Sequence, residues 1–222
     1  MTFAPLLLSL KVATATVALT LVLGLPLAYW LARAHSPAAG FLHAFSNLPL
    51  VLPPVVLGYY LLVAFGYGSP LGKALERLGI PLVFTWRGAV LAAWTVAFPL
   101  FVQAASAAFA SVSTELEDVA RTLGESEWGI FWRVTLPLAM PGILAGTLLT
   151  FARALGEFGA TLMVAGDIPG QTQTTAIAIY DAVEKGSQAQ ANVMAGILTA
   201  FALAVLFALR SMSLRWKGGS RA

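Results

Sequence analysis

The 222 residues carry a formal charge of +3, yet only 10% are charged, 59% are hydrophobic and the mean hydropathy is +0.82. Soluble domains hold about 25% charged residues, so a water-soluble fold is excluded and an integral membrane protein is expected. There is no cysteine, which excludes disulfides, thiolate metal sites and a cysteine nucleophile without fixing a redox compartment.

Crossing a hydrocarbon core of about 30 Å takes about 20 apolar residues as a helix. Five segments meet that need, near 9–32, 44–66, 86–110, 138–165 and 191–210. Lipid offers no partner to backbone polar groups, so each is expected to be helical. A sixth span is available if the 66–86 region or the N-terminus crosses. One membrane domain covering 1–222 leaves no room for a separate soluble domain. The first residues lack a basic stretch and a clear cleavage site, so no removable signal peptide is expected. Pro26, Pro49, Pro53, Pro54 and Pro99 interrupt the apolar runs, and the 49–54 cluster marks a broken helix or an interfacial segment. With an odd span count, a simple pair of equal inverted repeats is disfavoured.

Basic residues set orientation. With the N-terminus outside, Arg33, Arg121, Arg133, Arg210, Arg215, Lys217 and Arg221 face the cytoplasm. Lys11, Lys73, Arg77, Arg87 and Lys185 then lie at the outer side. The excess favours a cytoplasmic loop at 111–137 and a cytoplasmic C-terminal tail.

That loop holds Glu115, Glu117, Asp118, Glu125 and Glu127, half of the chain's ten acidic residues. Thr114 and Glu117 fit a capping box, and acids suit a helix N-terminus. Leu116, Val119, Ala120 and Leu123 fall at i, i+3, i+4 and i+7, one apolar stripe. Gly124 stands where the first helix should end. Ser126 can cap a second short helix on which Trp128, Phe131 and Trp132 share a face. An amphipathic connector lying on the bilayer is the plainer reading, but such helices carry a basic polar face and this one is acidic. A protein partner with a groove for the aromatic face is therefore favoured.

The run Asp118-Val119-Ala120, three residues, Gly124, nine residues, Val134, one residue, Leu136-Pro137 resembles the EAA loop of membrane permease subunits of bacterial ABC importers. That pattern is Glu-Ala-Ala, three residues, Gly, nine residues, Ile, one residue, Leu-Pro. The spacing matches throughout. Ala120, Gly124, Leu136 and Pro137 match in identity, whereas Asp118, Val119 and Val134 depart from it. The resemblance implies a coupling helix that docks on an ATPase subunit, with Glu125, Trp128, Phe131, Trp132 and the rest of the stretch to Arg133 making most of the contact. Phe151 to Thr161 resembles the fourth-span segment of molybdate permeases, and the related sulfate and tungstate permeases carry similar segments. The compact length suits the molybdate branch.

Arg153 and Glu157, four apart on one expected helix, can face each other. Charges inside a span face a bundle interior or an aqueous cavity. Such a pair lines the translocation route or braces the bundle. The brace is favoured, since a free positive charge would hold a dianion too tightly to release it. Gly142 and Gly146 form a Gly-x-x-x-Gly, read as ordinary helix packing. Gln171, Thr172, Gln173, Thr174 and Thr175 read as a solvated outer loop, with a docking surface for a binding protein as the alternative. His35 and His43 give no recognised metal spacing and are expected in interfacial or cytoplasmic loops. Gly68 to Lys73 has the wrong spacing for a Walker A sequence and no Ser or Thr after the lysine.

The expected protein is thus an all-α transmembrane domain of the type I ABC importer class. The resemblance implies a homodimer with the pore at the subunit interface, two ATP-binding cassette subunits carrying ATP and Mg, and an extracytoplasmic oxyanion-binding protein. This chain is expected to bind no cofactor, no metal and no nucleic acid, and to reside in the inner membrane. Molybdate is the expected cargo, with sulfate or tungstate as alternatives. An ion-coupled secondary transporter is the competing class. A membrane enzyme is disfavoured, because no catalytic dyad is evident.

Overall fold

The computed structural model describes residues 3–34 and 36–219; the side chains of 209, 210 and 212–219 lie outside that description. Helices α1 (Ala4–Arg33), α5 (Trp86–Ala110) and α8 (Leu136–Leu155) form the central bundle, with α5 between the other two. The buried positions of α1 are Pro5, Ser9, Val12, Ala13, Thr16, Thr20, Gly24 and Ala28, one stripe with mostly three- and four-residue steps. In lipid there is no hydrophobic drive between helices, so close van der Waals contact holds them, and small residues permit it. Helix α5 supplies them as buried Ala89, Ala92, Ala93, Ala97 and Ala105.

Gly142 and Gly146 meet α5 of the same chain. A Cβ on Gly142 would lie 2.4 Å from Ala108 Cβ, and one on Gly146 3.0 Å from Ala104 Cβ. The motif is therefore intrachain helix packing. Gly142→Val is expected to lower stability by about 1–3 kcal/mol through overpacking. Thermal unfolding in nanodiscs checks this, with Gly196→Ala, whose Cβ would meet nothing within 4 Å, as the neutral control.

Two expected spans are broken. The 44–66 segment is α2 (Pro37–Val51) and α3 (Pro54–Phe65), bent by 112°. Consecutive prolines force this: each pushes the residue before it out of the helical region, and Leu52 and Pro53 are extended at ψ 140° and 136°. A hydrogen bond from Gln103 Nε2 to Asn47 Oδ1, 2.8 Å, fastens α2 to α5. The 138–165 segment is helical only to Leu155; it breaks at Gly156 and resumes as α9 (Gly159–Ala165), which packs on α3 and α5.

Helix α4 (Pro70–Arg77) has 8 residues, about 12 Å at 1.5 Å per residue, too short to cross. Among the described residues, four helices are long and apolar enough to span, or up to five if the bent pair counts as one. The sixth span is not found there, and the N-terminal residues from Ala4 already belong to the first. Helix α11 (Gln188–Gly219) supplies the last span over Gln188–Ala208. His43 lies exposed on α2 rather than in a loop; His35 and Arg221 lie outside the described residues, as do the side chains of Arg210, Arg215 and Lys217.

Basic residues stand at both ends of the first span. Lys11 Nζ sits 3.8 Å from the Trp86 ring centroid, beside Arg87 at one end, while Arg33 pairs with Glu117 of the loop at the other. Thr122→Cys is expected to label from inside only and Ser187→Cys from outside only, using a membrane-impermeant thiol reagent. The reverse pattern inverts the topology.

Candidate functional site

The loop folds as helix, glycine turn, short helix. Helix α6 (Thr114–Thr122) starts one residue earlier than the capping box requires. Ser113, with extended backbone, is the N-cap, and its Oγ accepts from Glu115 N at 3.2 Å. Glu117 does not fold back over the helix start. It points inward, 8% exposed, where its Oε1 accepts from Thr135 Oγ1 at 2.7 Å and pairs with Arg33. An arginine is a stronger partner for a carboxylate than a backbone N–H.

The apolar stripe exists but faces outward: Leu116, Val119 and Leu123 are exposed and Ala120 half-buried. Gly124 has φ +89°. Gly124 N donates to Arg121 O and Glu125 N to Ala120 O, both at 3.1 Å, the pair of bonds that ends a helix on a left-handed residue. Gly124→Ala is expected to cost about 1 kcal/mol through the left-handed backbone alone, because a Cβ there meets nothing. Hydrogen exchange of the 120–126 amides reads that local loss.

Ser126 caps α7 (Glu127–Ile130), accepting from Gly129 N at 3.1 Å. A single π turn, Phe131–Thr135, joins α7 to α8; such turns frequently mark functional positions. The three aromatics touch one another, Trp128 and Trp132 edge to face at 5.8 Å. They divide the work. Phe131 is anchored against Tyr29 of α1 at 5.0 Å, while Trp128 is 72% and Trp132 50% exposed. A groove lined by Leu25, Pro26, Tyr29 and the three aromatics opens beside them. Leu136 is buried in the cluster with Phe109, Ala139 and Ile143, so it packs the span and presents nothing to a partner. Pro137 is exposed.

Among the described residues, four of the loop's five acids are paired, Glu115 being the exception, so its acidity is partly neutralised. Glu117 pairs with Arg33, Asp118 and Glu127 with Arg121, and Glu125 with Arg133. Glu127 Oε2 accepts from Arg121 Nη2 at 2.9 Å, and that hydrogen bond raises the Arg121 guanidinium above its ordinary pKa. Repulsion from an anionic leaflet is thus a weaker ground for a protein partner than the acid count implied. The exposed stripe and tryptophans are the stronger one.

Arg153 lies in the last turn of α8 and Glu157 in the break beyond it, so the pair does not share one helix. Nη1 and Oε2 approach to 2.7 Å, an ion-pair contact off the hydrogen-bonding direction. The other oxygen, Oε1, accepts from Ala160 N at 2.9 Å and caps α9. The Glu157 side chain is 2% exposed, that of Arg153 33%.

The 171–175 run is not a solvated loop. Thr172, Thr174 and Thr175 are buried. Thr172 Oγ1 accepts from Ile168 N at 3.1 Å and donates to Gly166 O at 3.2 Å. Thr175 N donates to Ser9 Oγ at 2.8 Å, tying the start of α10 (Thr175–Glu184) to α1. Gln171 alone of the five is exposed.

Sequence reasoning does not place Arg33, Tyr29 or Thr135 in this site. Arg33 had a signal, as the one charge closing the first span; Tyr29 and Thr135 had none. Among the described residues, no group of three or more His, Cys, Asp or Glu could hold a metal ion.

The profile of the family described as "Binding-protein-dependent transport system inner membrane component" matches residues 24–216. The molybdenum transport system permease protein ModB of Azotobacter vinelandii is 44% identical over 213 residues, covering 96% of this chain and 94% of that protein. The putative molybdenum transport system permease protein YvgM of Bacillus subtilis is 41% identical over 206 residues, covering 92% and 91%. In fold, the chain matches the inward-facing MetNI methionine ABC transporter at a TM-score of 0.70 and 17% identity, over 94% of each chain. It matches a bacterial alginate ABC transporter at 0.68 and 18% identity, over 97% of this chain and 80% of that one. The chain therefore belongs to the family of binding-protein-dependent transport system inner membrane components, as a multi-pass permease of the inner membrane.

Proposed function

We propose that this chain is the pathway-forming subunit of an ATP-driven importer for molybdate. The observation that carries the coupling role is the outward face of the 111–137 loop. Leu116, Val119, Leu123, Trp128 and Trp132 are all exposed on a loop that the Gly124 turn and three arginine pairs hold in shape. Exposed apolar clusters of this kind mark interaction sites, and tryptophan is enriched where binding energy concentrates.

The partner is an ATP-binding cassette subunit. ATP and Mg reside there, since this chain has no phosphate-binding glycine loop. Two copies of the chain enclose the pathway, and an oxyanion-binding protein delivers cargo at the end that holds Lys11 and Arg87. Closure of the ATPases moves both loops and swings the bundle between inward and outward states, a two-state element biased from both ends. The relatives' names support molybdate as cargo, and sulfate or tungstate would need the same charge.

Co-expression with the ATP-binding subunit tests the assembly. Purified complex is expected to contain two copies of each subunit by native mass measurement. Recovery of the chain without the ATPase under every condition would sink the proposal.

A further inference from the structure

Helix α6 packs against α7 and the π turn, so its packing ties it to the rest of the loop. Glu117 reaches past the loop. Its Oε1 takes two donors at once: Arg33, the last residue of α1, and Thr135, the last residue before α8. One carboxylate oxygen therefore joins α6 to the ends of two spans, 84 and 18 residues away in sequence. The junction is mostly enclosed, with the Glu117 side chain 10% and that of Arg33 23% exposed. Thr135 is 0% exposed, and Arg33 Nε is buried without a partner among the described residues.

A buried ion pair adds little to stability beyond what a hydrophobic replacement would give. Its value lies in geometry, because a charge out of water holds its partner at fixed distance and tolerates no sliding. The outward side of the same helix and its C-cap carry exposed Leu116, Val119 and Leu123. A push on that outer face thus arrives at Glu117 and passes to α1 and α8 together.

We propose that Glu117 is a positioning residue. It transmits movement of the loop to both spans, with Arg33 and Thr135 as the two receiving groups. The proposal rests on the reading of the loop as the ATPase-docking element.

The test uses the complete complex in proteoliposomes, with three readouts: affinity for the ATP-binding subunit, ATP hydrolysis, and molybdate taken up per ATP. Glu117→Gln keeps the shape and an acceptor for Thr135 but removes the charge. Affinity and hydrolysis are expected to stay within about two-fold, while uptake per ATP falls about ten-fold. Arg33→Gln is expected to do the same, and the double variant to be no worse than either single, since the groups act as a unit. Unchanged uptake per ATP in Glu117→Gln, or losses that simply multiply in the double variant, would overturn the proposal. Should Glu117→Gln fail to fold, Thr135→Val carries the test: a fall in uptake per ATP of about three-fold or more at unchanged affinity is expected, and no fall overturns it. If the wild-type chain does not bind the ATPase subunit, the docking reading has failed instead, a separate outcome.

Discussion

Trp128→Ala and Trp132→Ala are each expected to weaken binding of the ATP-binding subunit by about 30-fold, and together to abolish ATP-driven uptake. The reason lies in what the two rings do within the chain. Phe131 between them is held by Tyr29 and Phe109, and so already has its partners. Trp128 and Trp132 pack on each other and on Phe131 and leave half or more of their surface open, 72% and 50% exposed. Truncating them therefore removes little from the fold and much from an interface, where buried tryptophans cost 2 kcal/mol or more each. Phe131→Ala should behave in the opposite way, costing about 3 kcal/mol of stability or somewhat less, as a partly buried aromatic. Val22→Ala, an exposed position of α1, should change neither. Surface-immobilised ATPase subunit titrated with permease in nanodiscs gives the affinities.

The second large effect is at Arg153 and Glu157. Arg153→Met strands a carboxylate that is 2% exposed. Removing one partner of a buried pair costs about 3–5 kcal/mol, here toward the lower figure because Arg153 keeps 33% exposure. Adding Glu157→Gln removes the stranded charge, and the Gln oxygen still accepts from Ala160 N. The double variant is expected to unfold within about 1 kcal/mol of wild type, since an uncharged buried replacement is near neutral. It also separates the two roles the pair could have. A brace needs only shape and hydrogen bonds, so uptake should return with stability. A cargo-contacting cation would leave the double variant stable and inactive. The α9 cap held by Glu157 supports the brace.

Much of this architecture could be read from residue order, and the failures have physical causes. Long apolar runs at α1, α5 and α11 gave spans, because lipid leaves the backbone one choice. Helix, Gly124 turn and Ser126-capped helix were legible because each rests on local chemistry. The break after Leu155 was not. Gly156, Glu157 and Phe158 scarcely lower the average hydropathy of their window, and the side chain that stabilises the break is recruited from within it. Periodicity found the stripe of α6 but could not say which way it looks. The capping-box pattern points Glu117 at the nearest backbone donor, because its actual partner, Arg33, lies 84 residues away. Buried threonines at 172–175 read as a wet loop because composition does not distinguish a solvated hydroxyl from one bonded to Ser9 or Gly166.

Residues that hold the loop and residues that face outward from it are thus different sets. Arg33, Glu117, Phe131, Thr135 and Leu136 tie it to the bundle, while Leu116, Val119, Leu123, Trp128 and Trp132 are free to be gripped. The proposed coupling role requires a soluble partner that drives the loop. Uptake of labelled molybdate into proteoliposomes holding the chain, the ATP-binding subunit and the binding protein addresses that requirement directly. Uptake should need all three components and ATP, and should persist when proton and sodium gradients are collapsed. Uptake by the chain alone, driven by an ion gradient and indifferent to ATP, would contradict it.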